Sequence, residues 1–157
     1  MVTCFIGHRT ITATNELRER IRTAVLDLID NQGVDTFLFG SRSQFDELCL
    51  KIVKEIKEIR PHIKRIYVRA EYPYISADYE KYLLTFYDET YIPESIIHAG
   101  KAVYIERNRY MIDSADICVF FLDTSTTSNR KQSGTSIAYH YAHSLTKTIY
   151  NLNVLQP

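Results

Sequence analysis

At 157 residues the chain has the length of one globular domain, and its 45% apolar content is enough to bury a proper core, so wholesale disorder is excluded. Nineteen basic side chains cancel nineteen acidic ones, which argues against nucleic acid as a partner and means that any anion site must come from local clustering of arginine. No stretch approaches the ~20 apolar residues of a membrane span and no basic segment precedes a long apolar run, so the expectation is a cytoplasmic protein with no membrane partner.

Residues 2–6 form a short apolar run closed by Gly7, the pattern of a buried first strand. Thr14 or Asn15 then caps a helix whose apolar positions Leu17, Ile21, Val25 (or Ala24), Leu28 and Ile29 recur at helical spacing, and Gly33 ends it. A second strand at 36–39 is closed by Gly40. The second helix covers about 43–59, with Phe45, Leu48, Ile52, Val53 and Ile56 on one face and Pro61 just beyond its end. Residues 64–68 read as a third strand. Periodicity fades from 71 to about 100, where 77–84 reads as a short helix and 88–95 as loop. A helix over about 101–114 leads into the most hydrophobic strand, 117–122, followed by a polar loop at 123–133. Gly134 and Thr135 open a fifth helix, and 148–151 makes the last strand. Cys4, Cys49 and Cys118 each sit in apolar surroundings without C-x-x-C spacing, so they read as small core hydrophobes, and nothing calls for a metal or another cofactor.

Strands alternating with amphipathic helices predict a single Rossmann-like three-layer α/β domain over 1–157, with a mostly parallel sheet and the first strand central. In such sheets ligands bind beyond the carboxyl ends of the strands, where the strand order reverses; in the common order 3-2-1-4-5 that point lies between strands one and four. Gly7, His8 and Arg9 follow strand one. A guanidinium at Arg9 can fork onto phosphate or carboxylate, and His8 can meet a ribose hydroxyl or order its own loop. Gly40, Ser41 and Arg42 repeat the design after strand two, with a helix cap and a solvated arginine as the equal alternative. Ser133, Gly134 and Thr135 stand at a helix start, where free N–H groups and the helix dipole favour phosphate; capping alone is the plainer reading. Arg107 and Arg109, two apart on a helix, face different ways, so at most one faces a site. The tyrosines concentrated between Tyr72 and Tyr110 suit either base stacking or an interface between copies in a homo-oligomer.

Four segments in order, T-C-F-I-G-H-R (3–9), F-G-S-R-S-Q-F-D-E-L-C (39–49), R-N-R-Y-M-I-D-S-A-D (107–116) and S-G-T (133–135), resemble the SLOG superfamily, named for Smf/DprA and LOG proteins, and its YpsA-like branch in particular. The resemblance spans nearly the whole chain and implies a domain that binds nucleotides or nucleotide-derived ligands. LOG enzymes of that superfamily are nucleoside-monophosphate phosphoribohydrolases carrying P-G-G-x-G-T-x-x-E. Here Arg130, Lys131, Gln132 and Ser133 precede Gly134-Thr135, and Ala138 stands where the glutamate would be. Nucleoside deoxyribosyltransferases, similar in architecture, also carry a glutamate at this helix start, ahead of a pair resembling Tyr141-Ala142. Cleaving an N-glycosidic bond needs a carboxylate to stabilise or trap an oxocarbenium-like centre.

The resemblance therefore favours a binding or regulatory domain for a nucleotide-like, phosphate-bearing small molecule. The alternative is an N-glycosidase, phosphoribohydrolase or deoxyribosyltransferase-like, whose carboxylate is displaced to Glu71, Glu94 or Glu106. A DNA-associated role like that of the DprA members is opposed by the neutral charge.

Overall fold

Apolar side chains at successive strand positions must point alternately to opposite faces, so each buried strand has to be covered on both sides. The computed structural model, which describes residues 1–71, 76–124 and 132–153, sorts them in that way. Strands β1 (Val2–Gly7), β2 (Thr36–Phe39), β3 (Lys64–Val68), β4 (Glu89–Tyr91), β5 (Ile117–Phe121) and β6 (Thr148–Asn151) form one sheet in the order β4-β3-β2-β1-β5-β6. Every pairing is parallel.

Phe5, Phe37, Phe39, Ile117 and Val119 point to one layer, where they meet the apolar stripes of helices α1 (Asn15–Asp30) and α2 (Gln44–Ile59). Cys4, Ile6, Leu38, Cys118 and Phe120 point to the other, against Met111 and Ile112 of α4 (Val103–Ser114) and Ala138 and Ala142 of α5 (Gly134–Ser144). Helix α1 begins where the Thr14 hydroxyl accepts the Leu17 N–H at 3.1 Å, and it buries Leu17, Ile21, Val25, Leu28 and Ile29 on one stripe. Ile21 and Leu28 are fully buried, each contributing on the order of 1.5–3 kcal/mol of hydrophobic burial. Gly33 sits in the left-handed region at φ 72° and turns the chain back toward β2. The short helix α3 (Ala77–Leu83) adds Leu83, with Tyr87 just after it, to the layer of α1 and α2.

The chain thus moves outward from β1 through β2 to β3 and β4, then returns through α4 on the opposite layer to lay β5 against the free side of β1. That reversal splays the connections leaving β1 and β5 and opens a crevice beyond their carboxyl ends. The expected Rossmann-like three-layer fold with β1 inside a parallel sheet is what forms. Two segments depart from expectation. The segment 88–95 reads as loop in the sequence, yet it holds edge strand β4 and a 3-10 turn at Glu94–Ile96. Three residues, Glu-Thr-Tyr, are too few to carry a strand period, and only the pairing with β3 makes them one. The helix expected from 101 likewise opens with a 3-10 turn at Gly100–Ala102. All three cysteines are free and buried, as their apolar surroundings suggest. Among the described residues no helix is long and apolar enough to cross a membrane.

Candidate functional site

A cleft of about 1150 Å³ lies at the carboxyl edge of the sheet, and Gly7, His8, Arg9, Gly40, Ser41, Arg42, Ser133, Gly134 and Thr135 all line it. Three loops far apart in sequence are therefore brought to one place. The side chains on its walls differ in how far they are already committed.

After β1, the His8 N–H donates to the Phe121 carbonyl at 3.3 Å, and His8 Nε2 accepts the Asp123 N–H at 3.0 Å. His8 fastens the end of β1 to the segment leaving β5, the loop-ordering role of its two alternatives. That contact assigns the ring proton to Nδ1. Arg9 is exposed, and its guanidinium has no hydrogen bond or ion pair among the described residues. Its backbone is held instead: the Arg9 carbonyl accepts the Gln44 N–H at 2.9 Å, and Gln44 Oε1 accepts the Ile11 N–H at 2.9 Å. The loop is pinned to the start of α2 while the Arg9 side chain stays free.

After β2, the Gly40 and Ser41 N–H groups donate to Asp46 Oδ2 at 3.3 and 3.0 Å, so this turn spends its amides on a buried carboxylate of its own helix. Burial pushes the Asp46 carboxyl up to about 6, against the pull of those two N–H groups and the nearby Arg107 charge. Ser43 caps α2 by accepting the Asp46 N–H at 3.0 Å. Arg42 is not simply solvated. Its guanidinium lies 4.5 Å from the centre of the Tyr79 ring and Nε donates to the Tyr79 hydroxyl at 3.1 Å. The Tyr79 hydroxyl in turn donates to that of Tyr67 at 3.3 Å, and both rings line the cleft. Burial, and then the Tyr79 hydroxyl, hold the Tyr67 phenol neutral well above its ordinary range.

At the α5 start the Gly134 and Thr135 N–H groups have no acceptor among the described residues. Ser133 caps the helix by accepting the Ser136 N–H at 3.1 Å, and a side-chain carbon added at Gly134 would meet no atom of the described residues within 4 Å. Gly7 and Gly40 are different. A Cβ at Gly7 would lie 2.3 Å from the Phe45 ring, and one at Gly40 would lie 2.5 Å from Met111 Sδ and 2.6 Å from Arg107 Cδ. These two glycines admit the protein's own side chains close to the backbone.

Arg107 is the residue that a list built on strand ends omits. It is 6% exposed, lines the cleft, and donates from Nε to Asn108 Oδ1 at 2.9 Å. Arg109 turns away, pairing with Glu106 at 2.9 Å and lying over the Tyr141 ring, as the two-residue spacing requires. The available signal was the R-x-R spacing itself, but which of the two turned inward depended on the packing of α4. Asp46 gave a fainter signal, because an acid three residues after a cap also reads as an ordinary first-turn carboxylate.

Of the three displaced carboxylates, only Glu71 lines the cleft. Its side chain is 11% exposed, Oε2 accepts the Ser76 N–H at 3.2 Å, and Oε1 lies 4.0 Å from Arg69. Glu106 is engaged by Arg109, and Glu94 borders a separate depression beside Tyr91 and Tyr110. Ala138 is buried in the layer of α4 and α5, so the first turn of α5 offers the cleft no acid. Arg130 and Lys131, and the tyrosines Tyr72 and Tyr74, lie outside the described residues. Among the described residues no group of three His, Cys, Asp or Glu side chains could hold a metal ion.

Fold and site together define a class: a Rossmann-like α/β domain with an arginine-bearing cleft at its topological switch point. Comparison with known proteins adds no narrower assignment, since no family model and no curated protein matches the chain.

Proposed function

We propose that the protein binds a nucleotide-like, phosphate-bearing small molecule in this cleft, as a sensor or regulatory domain. The observation that carries the reading is the meeting of Arg9, Arg42, Arg107 and the open start of α5 around one cavity, in a chain whose overall charge is zero. Phosphate is the anion that suits both a helix N-terminus and a forked guanidinium. The resemblance of residues 3–9, 39–49, 107–116 and 133–135 to the YpsA-like SLOG proteins points the same way. Native mass spectrometry of freshly purified protein tests it. The expected result is an adduct of nucleotide mass that dissociates on denaturation, or one that forms on adding nucleoside monophosphates. A bare protein that takes up none of them would overturn the reading.

A second reading has one observation in its favour: Glu71 is a carboxylate within the cleft. In an N-glycosidase it would stand beside the bond to be cleaved. Its oxygens, however, are turned toward the Ser76 N–H and Arg69, so the binding role takes precedence.

A further inference from the structure

The Arg107 guanidinium is buried without a counter-ion. No carboxylate among the described residues lies within ion-pair distance of it, and only Nε has a hydrogen-bond partner, the side-chain oxygen of Asn108. Its two terminal nitrogens have none among the described residues. A guanidinium held like this gives up much of its hydration on folding, a loss that an anion in the cleft would offset. The fold nevertheless makes room for it: Gly40 has no Cβ, and one would lie 2.6 Å from Arg107 Cδ and 2.9 Å from Nε. Asp46, the carboxylate whose charge acts on Arg107, is itself turned to the Gly40 and Ser41 amides. The fold therefore holds an unpaired guanidinium on the wall of a cleft whose α5 end is already suited to phosphate.

We infer that Arg107 is a second anion receptor in this cleft, so that the ligand carries two anionic groups, one received at the start of α5 and the other by the Arg107 fork. This rests on the proposed function and narrows it from mononucleotides to bis-anionic nucleotides. Arg42 differs from Arg107 in being exposed and laid against the Tyr79 ring, so it presents no comparable buried charge awaiting an anion. A cavity of about 1150 Å³ accommodates a ligand larger than a mononucleotide.

Calorimetric titration of the whole chain with AMP, ADP and adenosine 3′,5′-bisphosphate tests this. Wild-type protein should bind at least one of the two bis-anionic nucleotides about tenfold more tightly than AMP. Arg107→Met should lose that preference, its affinity for the bis-anionic nucleotide falling about tenfold further than its affinity for AMP. If Arg107→Met does not fold, Arg107→Lys decides, since it keeps the charge and loses the fork: the preference should fall there too. Equal binding of all three nucleotides by wild type, or a preference unchanged in the variant that folds, overturns the inference while leaving the binding role intact. If neither variant folds, the wild-type preference alone decides. Failure of wild type to bind any of the three overturns the proposed function itself.

Discussion

Gly134→Ala separates the two reasons a glycine can stand beside a cleft. A methyl at this position meets no atom of the described residues within 4 Å, and the backbone is outside the left-handed region, so alanine fits without strain. Glycine at a helical position costs roughly 0.5–1 kcal/mol relative to alanine, and replacing it also restricts the unfolded chain. The variant should therefore be more stable by about 0.4–1 kcal/mol, which for a chain of this size raises Tm by about 1–4 °C. The same methyl intrudes where an anion would sit about 2.9 Å from the α5 amides. AMP affinity should fall about tenfold, a loss of about 1.4 kcal/mol. Gly7→Ala and Gly40→Ala are the contrast, because their methyls would lie 2.3 Å from Phe45 and 2.5 Å from Met111. Each should lose about 1–3 kcal/mol through overpacking. Thermal melts and calorimetry on the three variants are the assay. A Gly134→Ala protein that is stabilised yet binds AMP as wild type does would refute the role of the α5 start. One that is destabilised would show that the space beside Gly134 is not open.

Asp46 titrates at about 6 when folded because burial disfavours its charge, and near 3.9 when unfolded, so the folded state binds the extra proton between these values. Its contribution therefore favours folding below pH 4 and is lost as pH rises through 6, up to about 3 kcal/mol. Asp46→Asn, which keeps an acceptor for Gly40 and Ser41, should gain on wild type in urea midpoints between pH 4 and 7; parallel curves would contradict this. Arg9→Lys should weaken AMP binding measurably by calorimetry with no change in Tm, because the Arg9 guanidinium makes no contact within the described protein; unchanged affinity would assign it to solvent. Incubation with AMP, GMP, CMP and UMP should release no free base by chromatography. Turnover near 1 s⁻¹, about the low end of enzyme rates, that disappears in Glu71→Gln would establish the glycosidase reading instead.

The layers were legible because burial on both faces leaves continuous apolar runs. Residues 36–39, 64–68 and 148–151 come out as strands with the expected bounds, and the caps Thr14, Ser43 and Ser133 lie where short polar side chains precede apolar periods. Strand β4 was not legible, since its three residues owe their conformation to β3 alone. At the site, all nine residues picked out by the strand-end rule line the cleft, but the rule could not say what each one does. Gly7 is explained by Phe45 and Gly40 by Met111 and Arg107, contacts set by helices 38 and more residues away in the chain. Arg42 reads as a free guanidinium in sequence and is held by Tyr79 in the fold. Arg107 and Asp46 are only hinted at, by the R-x-R spacing and by an acid in a first helical turn, because their importance comes from burial, which only the packing of α4 and α2 decides.

The most direct test is a titration of ¹⁵N-labelled protein with AMP, followed amide by amide in two-dimensional NMR. The amides of Gly134, Thr135 and Ser136 at the start of α5 and of Arg9 after β1 should shift together and saturate with a single Kd, while those around Tyr91 and Tyr110 stay in place. An unmoved spectrum at millimolar AMP, or shifts confined to residues outside the cleft, would contradict the account.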